Sequence, residues 1–209
     1  MISLVLAMQF ARQMAERFHA RLVRKSDAIE MKLVAAALEA ARLFGARLPS
    51  TDEFLTRYAT TIGPMIYLPD SMWDDPRALV EVVTHECQHV RQFWRGSGDG
   101  VAGPTDRDLP GGFGFGWLYL TQGEARVRFE AEAYVAGLEA TVIGIGEPLP
   151  TSLEPLVQPL EGGYALNDGE IALARGLLEV GATQVAQGVA LTDAGQTAVE
   201  LLRQLGVGR

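Results

Sequence analysis

Apolar and polar residues alternate at the 3.6-residue spacing of amphipathic helices over most of the chain. Polar residues and glycines lie where these stretches begin and end, as expected for helix caps. Seven helices are predicted, over residues 3–23, 27–44, 51–58, 76–94, 117–142, 168–180 and 193–205. The pattern therefore predicts a mainly α-helical protein.

Capping residues support several of these boundaries. Ser50 and Glu53 can form a capping box, in which each side chain bonds to the backbone of the other residue. Asp75-Pro76 is typical of a helix start, since Asp is a good N-cap and Pro is tolerated in the first turn. The other candidate caps are Ser26, Asn167 or Asp168, and Thr192, while Gly45 and Gly206 can end helices.

One stretch, residues 60–69, is β-branched and aromatic instead of amphipathic. Pro64 lies within it and cannot donate a ladder hydrogen bond, which predicts an edge strand or a small hairpin. Residues 96–116 are predicted to form a long loop, and prolines within residues 148–159 predict a turn-rich connection. The predicted fold class is therefore α+β, mainly α, with one short edge strand or hairpin.

Length, charge and cysteine content narrow the class of protein. A chain of 209 residues favours one domain, residues 1–209, with enough interior for a hydrophobic core. The net charge of −8 argues against a protein that binds nucleic-acid backbones. The single cysteine, Cys87, excludes an internal disulfide, and we interpret it as a small buried apolar residue.

The apolar N-terminal run gives no sign of export or of membrane insertion. No positively charged region precedes it and no small-residue cleavage site follows it, so a signal peptide is not expected. Arg12, Glu16 and Arg17 interrupt the run before it could span a bilayer. We therefore expect a cytoplasmic protein without a membrane span.

The predicted helix over residues 76–94 carries the sequence His85-Glu86-Cys87-Gln88-His89. Residues four apart lie on one helix face, so both imidazoles can bind one ion. Glu86 lies beside them and can reach a metal-bound water, whose pKa zinc lowers to about 7. The motif therefore predicts a zinc site in which Glu86 is the general base for attack of water on a carbonyl.

A catalytic zinc usually has three protein ligands, so a third residue is needed. The extended motif with another His six residues after His89 is absent, because Gln92 and Arg95 stand where Gly and His would be required. The remaining histidine, His19, is interpreted as a surface or packing residue. We expect the third ligand to be a downstream carboxylate, and residues 126–134 are the best source.

The two motifs in this order resemble the gluzincins, a group of zincin metallopeptidases that includes thermolysin and the prenyl-protein proteases. In that group a second helix supplies a Glu ligand, with a small residue three positions later and usually an acid four later. Glu130 matches best, with Ala133 at the small position and Tyr134 where the acid would be. Glu132 is the second choice, and Glu124 matches less well.

The resemblance implies a zincin-like fold, with the active-site helix beside an edge strand and zinc bound by His85, His89 and Glu130. It also implies a peptide or protein substrate. Residues 60–95 and 124–136 carry this resemblance. Within them, residues 61–69 and 84–92 also look like small metallopeptidases encoded by bacteria and phages.

Position 134 departs from the family pattern. Tyr134 offers a phenol where an acid would orient a zinc-bound His, so another group must complete the surroundings of the site. Asp70, Asp74, Asp99 and backbone carbonyls are candidates that the sequence does not rank.

Several residues around the motif allow two interpretations each. Residues 60–68 could bind an extended peptide by strand addition or form only a structural edge. Three tyrosines could each donate a hydrogen bond to an oxyanion or only pack: Tyr67, Tyr119 and Tyr134. Three further aromatic residues could form a substrate wall, a lid or a hydrophobic anchor for the loop: Phe113, Phe115 and Trp117.

Two functional hypotheses follow from these patterns. The first is a zinc-dependent peptidase that uses His85, His89 and Glu130 as ligands and Glu86 as the base. The second is a non-catalytic interaction or structural protein with a zincin-like fold, associated with a phage or its host. The absence of an acid at position 134 motivates the second hypothesis.

Overall fold

The computed structural model describes residues 2–43, 50–95, 116, 118–119, 121–163 and 166–207. Within these ranges, helices dominate and a small sheet accompanies them, which confirms the mainly α prediction. The helices are α1 (Leu4–Arg17), α2 (Ile29–Leu43), α3 (Thr51–Thr56), α4 (Pro76–Arg95), α5 (Gly123–Leu138), α6 (Glu154–Gly163), α7 (Asp168–Ala186) and α8 (Asp193–Gln204). The strands are β1 (Arg21–Arg24), β2 (Thr60–Ile62) and β3 (Met65–Leu68). Short 3-10 turns cover Lys25–Asp27 and Asp70–Asp74, and a π-helical segment, Glu139–Ile145, follows α5.

The three strands form one sheet in the order β1-β3-β2. Strand β2 pairs with β3 in an antiparallel hairpin, and Thr61 lies opposite Ile66. Gly63 has a φ of 58° in the turn, a left-handed conformation that glycine adopts without steric cost. The predicted hairpin is therefore confirmed, and Pro64 lies in its turn. Strand β3 is central instead of an edge, because β1 pairs with its other side in parallel.

The prediction of one helix over residues 3–23 is wrong after Arg17, where α1 ends. His19 has a φ of 53°, which reverses the chain, and residues 21–24 form strand β1. Residue pairs such as Leu22 and Ile66 join segments that are remote in sequence. Helical periodicity is a local signal and does not register such pairing.

The turn-rich connection predicted over residues 148–159 is also partly wrong, because α6 begins at Glu154. Pro155 lies in the first turn, where backbone N–H groups have no partner within the helix. Pro159 lies inside the helix and removes one backbone donor from it. The predicted helix 117–142 corresponds to α5 and to the π-helical segment that follows it.

Most of the predicted caps are confirmed. The predicted capping box of Ser50 with Glu53 forms, and the Thr192 side chain accepts from the Gly195 N–H. Asn167 is the N-cap of α7, and it forms a capping box with Glu170 that was not predicted. The Asp75 side chain accepts from the N–H groups of Arg77 and Ala78, in the first turn of α4. The prediction for Ser26 is wrong: α2 begins at Ile29, and the Ser26 hydroxyl donates to Asp70 at 3.0 Å. Gly45 and most of the loop 96–116, with Asp99, Phe113 and Phe115, lie outside the described residues, as does Trp117.

Helix α4 lies at the centre of the main hydrophobic core. One of its faces is fully buried and includes Val80, Val83, Cys87 and Val90. This face packs with residues from α1, the sheet and α8, among them Phe10, Met14, Ile66, Leu68 and Leu202. Cys87 is a free cysteine with no exposed surface, which confirms that it is a buried apolar residue. This burial raises the pKa of its thiol. The core thereby fixes the orientation of α4 and of its remaining side chains.

Candidate metal centre

The two motif histidines lie together on α4, one helical turn apart. Their ring centroids are 4.8 Å apart and their Nε2 atoms are 3.1 Å apart. Both side chains are largely buried, with 14% of His85 and 9% of His89 exposed. The helix thus directs two imidazole nitrogens at one position, as the i, i+4 spacing predicts.

Helix α5 adds a carboxylate to the same position. The Glu130 Oε2 lies 3.6 Å from the His85 Nε2, and its Oε1 lies 3.5 Å from the His89 Nε2. Glu130 is 2% exposed. One ligand atom from each residue can be chosen so that all lie within 4.8 Å of one another, and this group could hold a metal ion.

The spacing of these atoms can be compared with that of a tetrahedral ion. Ligand bonds of roughly 2.1 Å place neighbouring ligand atoms about 3.4 Å apart around zinc. The two imidazole nitrogens are 3.1 Å apart, and each lies 3.5 or 3.6 Å from a different oxygen of Glu130, so these pairwise separations are close to that value. Two imidazoles and one carboxylate are also a ligand set that zinc uses in hydrolases. The residues present therefore fit a zinc ion.

The other acidic candidates on α5 are engaged elsewhere. The Glu132 Oε2 accepts from the Gln92 side-chain amide at 2.8 Å. The Glu124 carboxylate pairs with Arg128 at 2.8 Å, one helical turn away. Of the three glutamates considered from the sequence, Glu130 is the one grouped with the two histidines.

The three side chains of this group shift one another's pKa values. Burial lowers the pKa of His85, and the neighbouring His89 lowers it further. Burial also opposes protonation of His89, but Glu130 and Gln92 outweigh it and raise the pKa of His89 to about 9. Burial disfavours the Glu130 carboxylate, yet the two histidines and Tyr119 lower its pKa to about 2. A cation at this position would therefore replace a proton held between His89 and Glu130.

Glu86 lies beside the ligand group and is contacted from the sheet. Its Oε2 accepts from the Thr61 hydroxyl at 2.6 Å, and Thr61 belongs to β2. Glu86 is 5% exposed. This contact fixes the carboxylate beside the two histidines. The sequence offered no signal for it, because 25 residues separate the two side chains.

Two further side chains contact the ligands directly. The Tyr119 hydroxyl donates to the Glu130 Oε1 at 2.5 Å, so this tyrosine orients the carboxylate. The Gln92 Oε1 lies 2.8 Å from the His89 Nδ1. In the sequence, Gln92 is notable only as the residue that breaks the extended motif. Its spacing of three from His89, on the same helix face, is the signal that could have identified it.

The remaining candidates divide between the site and other places. Tyr134 lies at the site, with its ring edge on His85 and the centroids 4.7 Å apart. Burial raises the pKa of Tyr134 well above its usual value.

The other candidates lie away from the site. Tyr67 donates to Glu30 at 2.9 Å, on the side of the sheet where α2 packs. Asp70 accepts from Ser26 and pairs with Arg24. His19 is exposed in the turn after α1, in agreement with its interpretation as a surface residue.

Comparisons of the chain with protein-family models, with curated proteins and with solved structures give no match. The interpretation of the site therefore rests on its own residues and their geometry. Along the described part of the chain, no helix combines the length and the apolar character that crossing a membrane requires.

Proposed function

We propose that this protein is a zinc-dependent hydrolase, most consistent with a peptidase related to the gluzincins. The observation that carries the proposal is that ligand atoms of His85, His89 and Glu130 lie within 4.8 Å of one another, with the two imidazole nitrogens 3.1 Å apart, beside Glu86. The ligands come from two separate helices, in the order and with the motif of that group. Peptides and proteins are the proposed substrates.

The residues of this chain divide the chemistry among them. Bound zinc would polarise a carbonyl and lower the pKa of a coordinated water. Glu86 accepts the proton of the attacking water and returns it to the departing amine. Thr61 holds one oxygen of that carboxylate, which directs the other to the reacting groups. Tyr134 stays a protonated phenol at His85 and can donate a hydrogen bond to a developing oxyanion.

Metal analysis of the purified protein and a Glu86→Gln variant test this proposal. We expect about one zinc per chain, and we expect the variant to retain its zinc while peptide cleavage falls by roughly 10²- to 10⁴-fold, since a general base is lost. Peptide cleavage is measured on a mixed peptide library by mass spectrometry. His85→Ala serves as the control that removes a ligand and should lose the zinc itself.

Two outcomes would contradict the proposal. Wild-type protein that takes up no zinc after supplementation excludes the metal site. Full cleavage by Glu86→Gln excludes the assigned base. Zinc content without any cleavage in the wild type would instead favour the second hypothesis, a non-catalytic zincin-like protein, which the phenol at position 134 supports.

A further inference from the structure

The side chain of Gln92 lies between the two helices that carry the ligands. It is 3% exposed. Its Nε2 donates to the Phe129 carbonyl at 3.0 Å and to the Glu132 carboxylate at 2.8 Å, both on α5. A carbonyl and an ionised carboxylate accept hydrogen bonds and do not donate them. The amide nitrogen of Gln92 must therefore face α5.

This orientation decides which atom of Gln92 faces the site. With the nitrogen committed to α5, the oxygen is the atom that lies 2.8 Å from the His89 Nδ1. An amide oxygen only accepts, so the His89 Nδ1 must carry the proton. In the neutral imidazole the other nitrogen, Nε2, then keeps its lone pair. That lone pair points at the position shared with His85 and Glu130.

We propose that Gln92 is a positioning residue for the metal, because it selects the metal-binding tautomer of His89 and ties α4 to α5. This inference rests on the proposed zinc site. The partner that orients His89 is thus an amide from the motif helix itself, and Glu132 and the Phe129 carbonyl hold that amide in turn. Outer partners of this kind typically change metal affinity by about 10- to 100-fold when they are removed.

The zinc affinity of Gln92→Met tests the inference. Methionine is similar in length to glutamine and fills the buried space, but it provides no acceptor for the His89 Nδ1–H. We expect the zinc dissociation constant to rise by roughly 10- to 100-fold. It is measured by competition with a chromophoric chelator at fixed pH, which requires no substrate.

Gln88 provides a matched control on the same helix. It is 2% exposed, and its Oε1 accepts from the Ala194 N–H at 3.0 Å, on the side of α4 that faces α8. Gln88→Met removes a buried amide of the same kind without touching a ligand. We expect its zinc affinity to equal that of the wild type, even where its thermal stability falls.

Nitrogen-15 spectra of histidine-labelled, zinc-loaded wild type give a second measurement that needs no variant. The His89 Nδ1–H should give a slowly exchanging signal, because the proton is buried in a hydrogen bond. Equal zinc affinity of Gln92→Met and Gln88→Met, or an unprotonated His89 Nδ1 in the wild type, would overturn the role of Gln92 alone. Wild type that binds no zinc would overturn this inference together with the proposed function.

Discussion

The carboxylate of Glu86 is held by a hydroxyl from the sheet, not by its own helix. Thr61 donates to Oε2, and Oε1 has no hydrogen-bond partner among the residues described. A carboxylate held at one oxygen has a fixed orientation and keeps the other oxygen for a reacting proton. Strand β2 therefore contributes directly to the proposed chemistry, in addition to forming an edge of the sheet.

The residues of the centre differed in how far the sequence could predict them. His85, Glu86 and His89 are close in sequence, so helical spacing alone brings them together. Glu130 could be chosen over its neighbours only through the gluzincin pattern. The contacts of Thr61 and Tyr119 join different elements, and their distances depend on how those elements pack.

Lys25 is a buried cation that allows a prediction of pH-dependent stability. It is 1% exposed, and its Nζ donates to the Phe54 carbonyl at 2.7 Å and lies 3.8 Å from the centroid of the Phe54 ring. Burial lowers the pKa of Lys25 from 10.5 to about 8, although the charge of Glu86 opposes the shift. Between these pH values the unfolded chain binds a proton that the folded protein lacks. The contribution of this group to stability therefore rises with pH across that window.

We expect the free energy of unfolding of the wild type to increase relative to that of Lys25→Met as the pH rises from about 8 to 10.5. The variant has no titrating group at this position, so it lacks that gain. Denaturant unfolding at several pH values measures the difference. Lys32→Met is the control, because the Lys32 side chain is exposed. Parallel pH profiles for Lys25→Met and wild type would contradict the assignment.

At the scale of elements, α8 is joined to the π-helical segment by a buried carboxylate. Glu139 is 0% exposed and accepts from the backbone N–H groups of Leu191 and Thr192 and from the Thr192 hydroxyl. These donors lie just before α8, where N–H groups need acceptors. The close approach requires a small residue at Gly195, because an added Cβ would overlap the Glu139 Oε2.

Gly195→Ala should destabilise the protein although alanine is the better helix former. The methyl group would displace a buried carboxylate from its donors, and an unsatisfied buried group costs about 1–3 kcal/mol. Gly176→Ala is the matched control, since this exposed glycine lies inside α7 with nothing within 4 Å of the added Cβ. It should stabilise by up to about 1 kcal/mol. Denaturant midpoints report both changes, and equal effects of the two substitutions would contradict the proposed crowding at Gly195.

The elements also show where local pattern stops being informative. Capped amphipathic helices such as α4 and α8 were predicted nearly to their ends, because the caps and the periodicity lie in adjacent residues. The start of α7 was predicted from its cap, but the helix continues past the predicted end at residue 180 to Ala186. Strand β1 was missed because it depends on pairing with β3. Helix α6 was missed because Pro155 and Pro159 normally mark turns, whereas its packing against α7 and α5 tolerates them.

At the scale of the whole molecule, the three proposed metal ligands lie on two helices that are far apart in sequence and that pack in different hydrophobic clusters. His85 and His89 belong to α4, whose buried face lies in the main core. Glu130 belongs to α5, which also packs with α6 and α7 in a second hydrophobic cluster that includes Leu138, Val157 and Leu178. One ion bound by both helices would therefore cross-link the two clusters. Metal binding should be visible in the global stability as well as in catalysis.

We expect zinc removal to lower the melting temperature of the wild type. Free zinc at 100 times its dissociation constant would stabilise the folded protein by about 2.7 kcal/mol. For a chain of this length that corresponds to roughly 5–10 °C in melting temperature. Glu86→Gln keeps all three ligands and should respond to zinc and to chelator like the wild type. Glu130→Gln replaces the anionic ligand by a near-isosteric amide and should lose most of the response. If zinc does not change the melting temperature of the wild type, or if it raises the melting temperature of Glu130→Gln as much as that of the wild type, then α4 and α5 do not share an ion.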